Sequence, residues 1–351
     1  MARVLFTGYA PVHFVCFRPL FEALRSLPGV EASVSGGLRT RDGDSYHYDT
    51  QGLYGGFGLP QDSVLEIDEI ADLDVDVLFV ANTKPIRPRS AGATIQIFHG
   101  MSFRNRAIRQ ENTGCDHYFL LGPYMRRAFE SRGLFSGDDE RLVEIGFPKT
   151  DSLLDGSLDR SSVLAEHGVS GDRPVIFYAP TGAHDNSLET MGEEVLRRLS
   201  ATGAFDVLVK PHDHPKKPID WYARLGPLEG EHLRLVRSAD VIRTLSITDV
   251  LVTDASSVAN EFVLCDRPIV FLDVPELLAA AEDDPRLDLK TWGRKAGETV
   301  RAPQQAVGAV ERALSDPARH AQVRAEIAGD LFYHPGGATA AAVSWLKGQL
   351  N

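Results

Sequence analysis

Three stretches of the chain run from an apolar segment straight into residues that can hold or move charge. The first, residues 250–262, ends an apolar run at Thr253 and continues through Asp254, Ser256 and Ser257 into a helical pattern that carries Glu261. A serine at a helix N-cap sets its hydroxyl beside unpaired backbone N–H groups, where the positive end of the helix dipole favours phosphate or diphosphate. Glu261, one turn on, is placed to accept hydrogen bonds from ribose or polyol hydroxyls; the competing reading is a plain capped helix with Glu261 on its wet face. The second stretch, residues 207–217, delivers Lys210, His212, His214, Lys216 and Lys217 at the end of a strand-like run. Lys210 and His212 suit a diphosphate and the charge that develops on a departing nucleotide phosphate. Adjacent His212, Asp213 and His214 suggest a metal, but neighbouring side chains diverge and no HExxH-type spacing is present. The third, residues 94–104, ends at His99 and Gly100 with Arg104 close behind. An imidazole that titrates near neutrality can take a proton from an attacking hydroxyl, so His99 is the general-base candidate. Arg104, Arg106 and Arg109 are able to fasten a phosphate or to form the solvated side of a helix.

Two lesser turns complete the set. Gly8 follows the first apolar run and leads to His13, a candidate acceptor or phosphate contact, without the GxGxxG spacing of a dinucleotide site. Thr181 stands at the exit of the run Val175–Tyr178 and is a candidate for touching phosphate or base, as are Thr253 and Asp254 on the donor side.

The elements that must position these residues are short apolar strands alternating with helix-compatible stretches. Strands are expected at Arg3–Thr7, Glu31–Ser35, Val75–Val80, Thr94–Phe98, His117–Leu121, Leu142–Ile145, Val175–Tyr178, Asp206–Lys210, Leu233–Val236, Asp249–Thr253 and Pro268–Leu272. Continuous apolar runs suit strands covered on both faces, hence parallel sheets flanked by helices. The polar segment 155–174 marks a boundary, giving an amino-terminal unit of residues 1–160 and a carboxyl-terminal unit of 161–351 closed by a helix. The fold class is α/β, two doubly wound Rossmann-like domains facing across a cleft, the GT-B arrangement, in which ligands bind beyond the carboxyl ends of the strands.

Composition narrows the function. The 351 residues carry 37 Lys+Arg and 49 Asp+Glu, a formal charge of −12, with 43% apolar residues. That is an ordinary globular balance, and its acidity argues against nonspecific nucleic-acid binding. Cys16, Cys115 and Cys265 are too few and too scattered for a disulfide framework or a CxxC metal site. No signal peptide or membrane span is expected, so a cytoplasmic protein is, with the inner membrane face as a possible docking place through Arg126, Arg127 and Arg132.

Taken in order, His99-Gly100, the turn Gly146–Asp151, Tyr178–Thr181, Lys210-Pro211-His212, Thr253–Val258 with Glu261, and Pro268–Phe271 resemble the CDP-glycerol glycerophosphotransferase family, which builds teichoic-acid-like polyol-phosphate chains. The resemblance implies that His99 acts as base on the acceptor side and that His212 and Lys210 contact the donor diphosphate. It further implies that Ser256 and Ser257 bind phosphate, that Glu261 lies by the ribose or polyol, and that a CDP-activated donor releases CMP. Partners so implied are that nucleotide-activated donor and a lipid-linked or oligosaccharide acceptor. No redox cofactor is called for, and a diphosphate held by these groups does not require Mg²⁺. The sequence departs from the family at Phe98, where a tryptophan is usual, at residues 101–104 and at Ala255; these flank donor and acceptor and leave the transferred group open. Rival readings are a glycosyltransferase using a UDP- or GDP-sugar, a sugar-nucleotide 2-epimerase relative, which usually carries Gly-Gly where Ser256 and Ser257 stand, and a non-catalytic binding subunit of the same fold.

Overall fold

Burial of whole strands explains the architecture. Val175–Ala179 and Val250–Thr253 have every residue buried, a pattern that requires helices on both faces of a sheet. The computed structural model describes residues 1–42, 45–81, 85–100, 107–212, 219–281 and 294–350. The described chain forms two compact units.

The first unit contains β1 (Ala2–Gly8), β2 (Val30–Gly36), β3 (Leu38–Asp42), β4 (Ser45–Asp49), β5 (Val64–Leu65), β6 (Asp74–Val80), β7 (Ser90–Ile97), β8 (His117–Leu120) and β9 (Leu142–Glu144). Its seven-stranded sheet has the order β5-β2-β1-β6-β7-β8-β9, with every pairing parallel. β3 and β4 form a separate antiparallel hairpin. Helix α1 (Pro11–Arg25) starts with proline in its first turn, where the missing N–H costs nothing. It buries Phe14, Phe17 and Phe21, and Phe6 of β1 meets Phe17 at 5.3 Å and stacks on Phe79 of β6 at 4.6 Å. These aromatic contacts fix α1 over the middle of the sheet.

The second unit contains β10 (Val175–Ala179), β11 (Asp206–Val209), β12 (Leu233–Leu235), β13 (Val250–Thr253), β14 (Ile269–Leu272) and β15 (Gly297–Val300) in the order β12-β11-β10-β13-β14-β15, again all parallel. Its core gathers Ile176, Val207 and Val252 with Leu196, Leu199 and Val310 from covering helices.

All eleven expected strands are present; ten lie within a residue of their expected ends, and β7 begins at Ser90, four residues before the expected Thr94. The sequence reading missed the hairpin β3–β4, the two-residue β5 and β15. Hairpin residues such as Arg39, Thr40, Tyr46 and His47 are polar or exposed and carry no apolar core signal.

The domain limits differ from the expected 1–160 and 161–351. The second unit runs from Ser152 to Asp330, and the chain from Leu331 onward rejoins the first. Trp345 of the last helix (Ala338–Leu350) meets His117 and Phe119 edge-on at 4.8 and 5.3 Å, and the Tyr333 N–H donates to the Leu121 carbonyl at 2.7 Å. The Asp151 carboxylate, at the end of the first pass through this unit, accepts from the N–H groups of Ala338 and Thr339 at 3.0 and 2.7 Å, capping that helix from 187 residues away. Replacing it unpairs buried donors and removes a favourable charge at a helix start. Asp151→Ala is expected to lower unfolding free energy by about 1–2 kcal/mol, with Asp151→Asn recovering part of it, as read from urea denaturation midpoints at unchanged slope.

Candidate active site

In an open parallel sheet the loops at the carboxyl ends diverge where strand order reverses, and that divergence leaves room for a ligand. The first unit reverses between β1 and β6, the second between β10 and β13. Among the described residues, the predicted ones follow strands at these points or next to them.

In the first unit β1 delivers Gly8 and, through the start of α1, His13; β6 delivers Ala81; β7 delivers His99 and Gly100. A Cβ on Gly8 would fall 2.9 Å from the His13 Cβ, so only glycine there lets the histidine lie across the strand end. Gly100 has φ +141°, consistent with the expected turn. His13 is buried, and its ring lies 5.4 Å from that of His99. The two imidazoles therefore form a pair within one unit.

Their protonation states follow from their hydrogen bonds. The Tyr9 N–H donates to His13 Nδ1 at 3.2 Å, so in the neutral ring Nε2 carries the proton. His99 donates one ring N–H to the Ala81 carbonyl, which leaves its other nitrogen as a lone-pair acceptor. The pair thus offers one donor and one base side by side. Solvent still reaches His99, yet the protein around the ring desolvates it and pushes its pKa below the ordinary imidazole value. The nearby Lys149 ammonium acts in the same direction, and the hydrogen bond to Ala81 acts against both. A base kept neutral in this way is ready to accept a proton at physiological pH.

In the second unit Lys210 leaves β11 with only 6% of its surface exposed, its N–H extending the ladder to the Tyr178 carbonyl at 3.0 Å. His212, two residues on, is exposed. Thr181 is half-buried after β10, and Ser256 and Ser257 are half-buried after β13. Glu261 is 4% exposed, inside the protein and not on a wet face. The loops after β10 and β13 are fastened together by Asp254, which is fully buried. Its carboxylate accepts from the Thr181 N–H at 2.8 Å, the Ala255 N–H at 2.6 Å, and the Ser187 N–H and hydroxyl at 2.9 and 2.7 Å. The Ser187 proton being spent on Asp254, the 2.8 Å contact between Tyr178 and Ser187 has the phenol as donor. Burial raises the Asp254 pKa, and the N–H and hydroxyl donors pull it the other way.

Several expectations are corrected by this geometry. Asp254 and Thr253 are not donor contacts: the first spends its acceptors on the protein, and the second is fully buried with its hydroxyl donating to the Ala179 carbonyl at 2.7 Å. They hold the loops that Thr181, Ser256 and Ser257 stand on. The serine-capped helix is also not as expected. Ser257 occupies the N-cap position without a side-chain capping bond, and the α-helix spans only Val258–Phe262 before tightening. Ser256 accepts a long 3.5 Å bond from the Val258 N–H. Arg104, with Arg106, lies outside the described residues, as do Asp213, His214, Lys216 and Lys217. Of the arginines considered for membrane docking, Arg126 donates to the Gly137 and Leu142 carbonyls and pairs with Glu144 at 3.2 Å, and Arg132 donates to the Ile108 carbonyl at 2.6 Å; both are tied up by their own unit. Among the described residues no helix is long and apolar enough to cross a membrane.

Sequence reasoning missed Lys149 as the neighbour of His99, although it lies in the Gly146–Asp151 turn. It also missed Tyr9, and it missed Ser187, for which no sequence signal was available.

Two Rossmann-like units, each with its polar residues gathered where strand order reverses, make up a GT-B-fold protein. A family model described as CDP-Glycerol:Poly(glycerophosphate) glycerophosphotransferase matches residues 81–316, and the chain belongs to that family. Among curated relatives, the teichoic acid poly(glycerol phosphate) polymerase of Staphylococcus epidermidis is 25% identical over 47% of this chain and 24% of its own length. The teichoic acid glycerol-phosphate primase of Bacillus spizizenii is 24% identical over 47% of this chain and 42% of its own. The chain thus matches less than half the length of either relative. A solved structure of the wall teichoic acid polymerase TagF superposes with a TM-score of 0.71 at 15% identity, covering 100% of this chain and 90% of that one; it shares the fold.

The pKa directions give a direct check. An NMR titration of the imidazole protons should place His99 below the ordinary value of about 6.5. Lys149→Met, by removing a cation that opposes protonation, should raise it; a His99 titration that Lys149→Met leaves in place removes the lysine from the site.

Proposed function

We propose that the protein transfers a polyol phosphate, of glycerol phosphate type, from a CDP-activated donor to an acceptor hydroxyl in cell-surface polymer synthesis. The observation that carries the reading is the neutral His99 lone pair beside the His13 N–H, in a chain whose family model is a glycerophosphotransferase.

The chemistry falls to two groups of residues. In the first, His99 accepts the proton of the acceptor hydroxyl as its oxygen attacks the donor's β-phosphorus. The new P–O bond forms as the bond from that phosphorus to the bridging oxygen breaks, and CMP leaves with the electron pair. Because the transition state spreads negative charge over the phosphoryl oxygens and the leaving phosphate, catalysis rests on positioning and fixed positive groups. Lys210 and His212 supply those groups, Ser256, Ser257 and the Thr181 turn offer hydrogen bonds to phosphate, and Glu261 orients ribose or polyol. The polar donors of the second unit stay in place because Asp254 and Thr253 lock the loops beneath them, so little reorganisation accompanies charge development. The acceptor is an oligosaccharide or a lipid-linked chain, and no step is routed through a metal.

A donor panel of CDP-glycerol, CDP-ribitol, UDP-sugars and GDP-sugars, scored for the nucleotide released, tests the reading. CMP release from a CDP-polyol is expected, unchanged by EDTA; UDP or GDP release points to glycosyl transfer and overturns it. His99→Ala should lower kcat by about 10²–10⁴-fold and His212→Ala by about 10²–10³-fold with folding intact, and turnover that survives both ends the catalytic assignment. The acid limb of the rate profile should lie below about 6.5 and move to higher pH in Lys149→Met.

A further inference from the structure

The hairpin β3–β4 is unexplained by anything above. It grows from the carboxyl end of β2, beside the turn that carries Tyr9 and His13. Gly36, at φ +108°, makes that junction possible: a Cβ there would lie 1.9 Å from the Gly8 carbonyl oxygen. The next N–H, of Gly37, donates to that same Gly8 carbonyl at 3.2 Å. The root of the hairpin and the root of the histidine pair are therefore one piece of backbone.

On the hairpin, Arg39 stands opposite Tyr48, with Tyr46 on the diagonal of the same pairing. The Arg39 guanidinium carbon lies 3.9 Å from the centre of the Tyr9 ring and 4.8 Å from that of Tyr46. Tyr9 meets His13 edge-on at 4.7 Å, and His13 faces His99. A continuous file of rings thus runs from the guanidinium to the candidate base. Arg39 is exposed and makes no hydrogen bond or ion pair with a described residue. Held by two aromatic faces, a guanidinium gives up little further freedom on binding, and its five N–H donors lie in its own plane. That planar fork matches the oxygens of a phosphate. α1 adds to the same field: its N-cap, Ala10, has no side-chain cap, and the positive end of this 15-residue helix lies beside Tyr9.

We infer that Arg39, clamped between Tyr9 and Tyr46, is the residue that reads a phosphate carried by the acceptor whose free hydroxyl is presented to His99. This rests on the phosphotransfer reading. Acceptor and donor share phosphate chemistry; the acceptor is assigned because Arg39 belongs to the unit that holds the base, whereas Lys210 and His212 belong to the other. The clamp lies outside residues 81–316, the segment that the family model matches.

The test titrates the full chain with glycerophosphoglycerol, a phosphodiester with free hydroxyls, with the neutral ether diglycerol, and with CDP-glycerol, by calorimetry or NMR. Arg39→Gln is expected to weaken glycerophosphoglycerol about tenfold or more, the size of a lost charge-assisted hydrogen bond. Arg39→Lys, which keeps the charge but loses the fork, should lose part of this, and Tyr46→Ala a few-fold. Diglycerol binding and CDP-glycerol affinity should stay within about twofold; in turnover the loss should appear in the acceptor KM with kcat near wild type. Failure of the wild-type chain to bind glycerophosphoglycerol, equal binding by Arg39→Gln, or a loss confined to CDP-glycerol each overturns the inference. If Arg39-dependent binding holds while no CDP-polyol is turned over, the phosphotransfer reading fails and the inference survives. CMP release with an acceptor KM indifferent to Arg39 gives the converse.

Discussion

The buried carboxylate of Asp254 is the contact on which the donor-side arrangement depends. A parallel sheet opens a crevice where its strand order reverses, but an open crevice is lined by loops with nothing to hold them. Asp254 binds the two loops that diverge from β10 and β13, through backbone N–H groups of Thr181, Ser187 and Ala255 and the hydroxyl of Ser187. Desolvating a carboxylate is costly, and four donors offset that cost where one or two would not. The return is rigidity at the one edge of the sheet where irregular backbone must keep its shape without a ligand.

The first unit shapes its crevice by different means. Its crevice is framed by Gly8, which lets His13 close over the end of β1, and by the aromatic packing of Phe6, Phe17 and Phe79 that seats α1. The histidines are set by backbone partners, an N–H of Tyr9 on one and the carbonyl of Ala81 on the other. Backbone partners cannot change rotamer, so the donor–acceptor sense of the pair is fixed by the fold itself. One unit uses a deeply buried carboxylate and the other uses glycine and main chain, and each ends with polar groups aimed outward from a stable sheet edge.

What the sequence made legible follows from which signals are local. Eleven strands were readable because most are runs of apolar residues largely buried on both faces, a property of neighbours in the chain. His99, Lys210 and His212 were readable because polar residues directly after such a run are placed at the ligand-binding edge by connectivity alone. The roles of Thr253 and Asp254 were not, because the sequence shows only that they follow β13; that their oxygens are consumed by Ala179, Thr181 and Ser187 depends on strand order, a nonlocal fact. The pairing of His13 with His99 was hidden for the same reason, since β6 must lie between their strands. The hairpin β3–β4 went unread because its residues are polar and its contacts are cation–π and glycine-mediated, neither of which leaves an apolar period.

Asp151 and the final helix carry an implication for how the molecule comes into being. Residues 152–330 are contiguous, so the second unit has all its strands in hand while synthesis is still under way. The first unit does not: the helix start that Asp151 caps, and Trp345 beside His117 and Phe119, follow the whole of the second unit in the chain. A nascent chain therefore holds the histidine pair in an unfinished scaffold until residues 331–350 arrive, so the unit that contains the pair closes only after the other has been made.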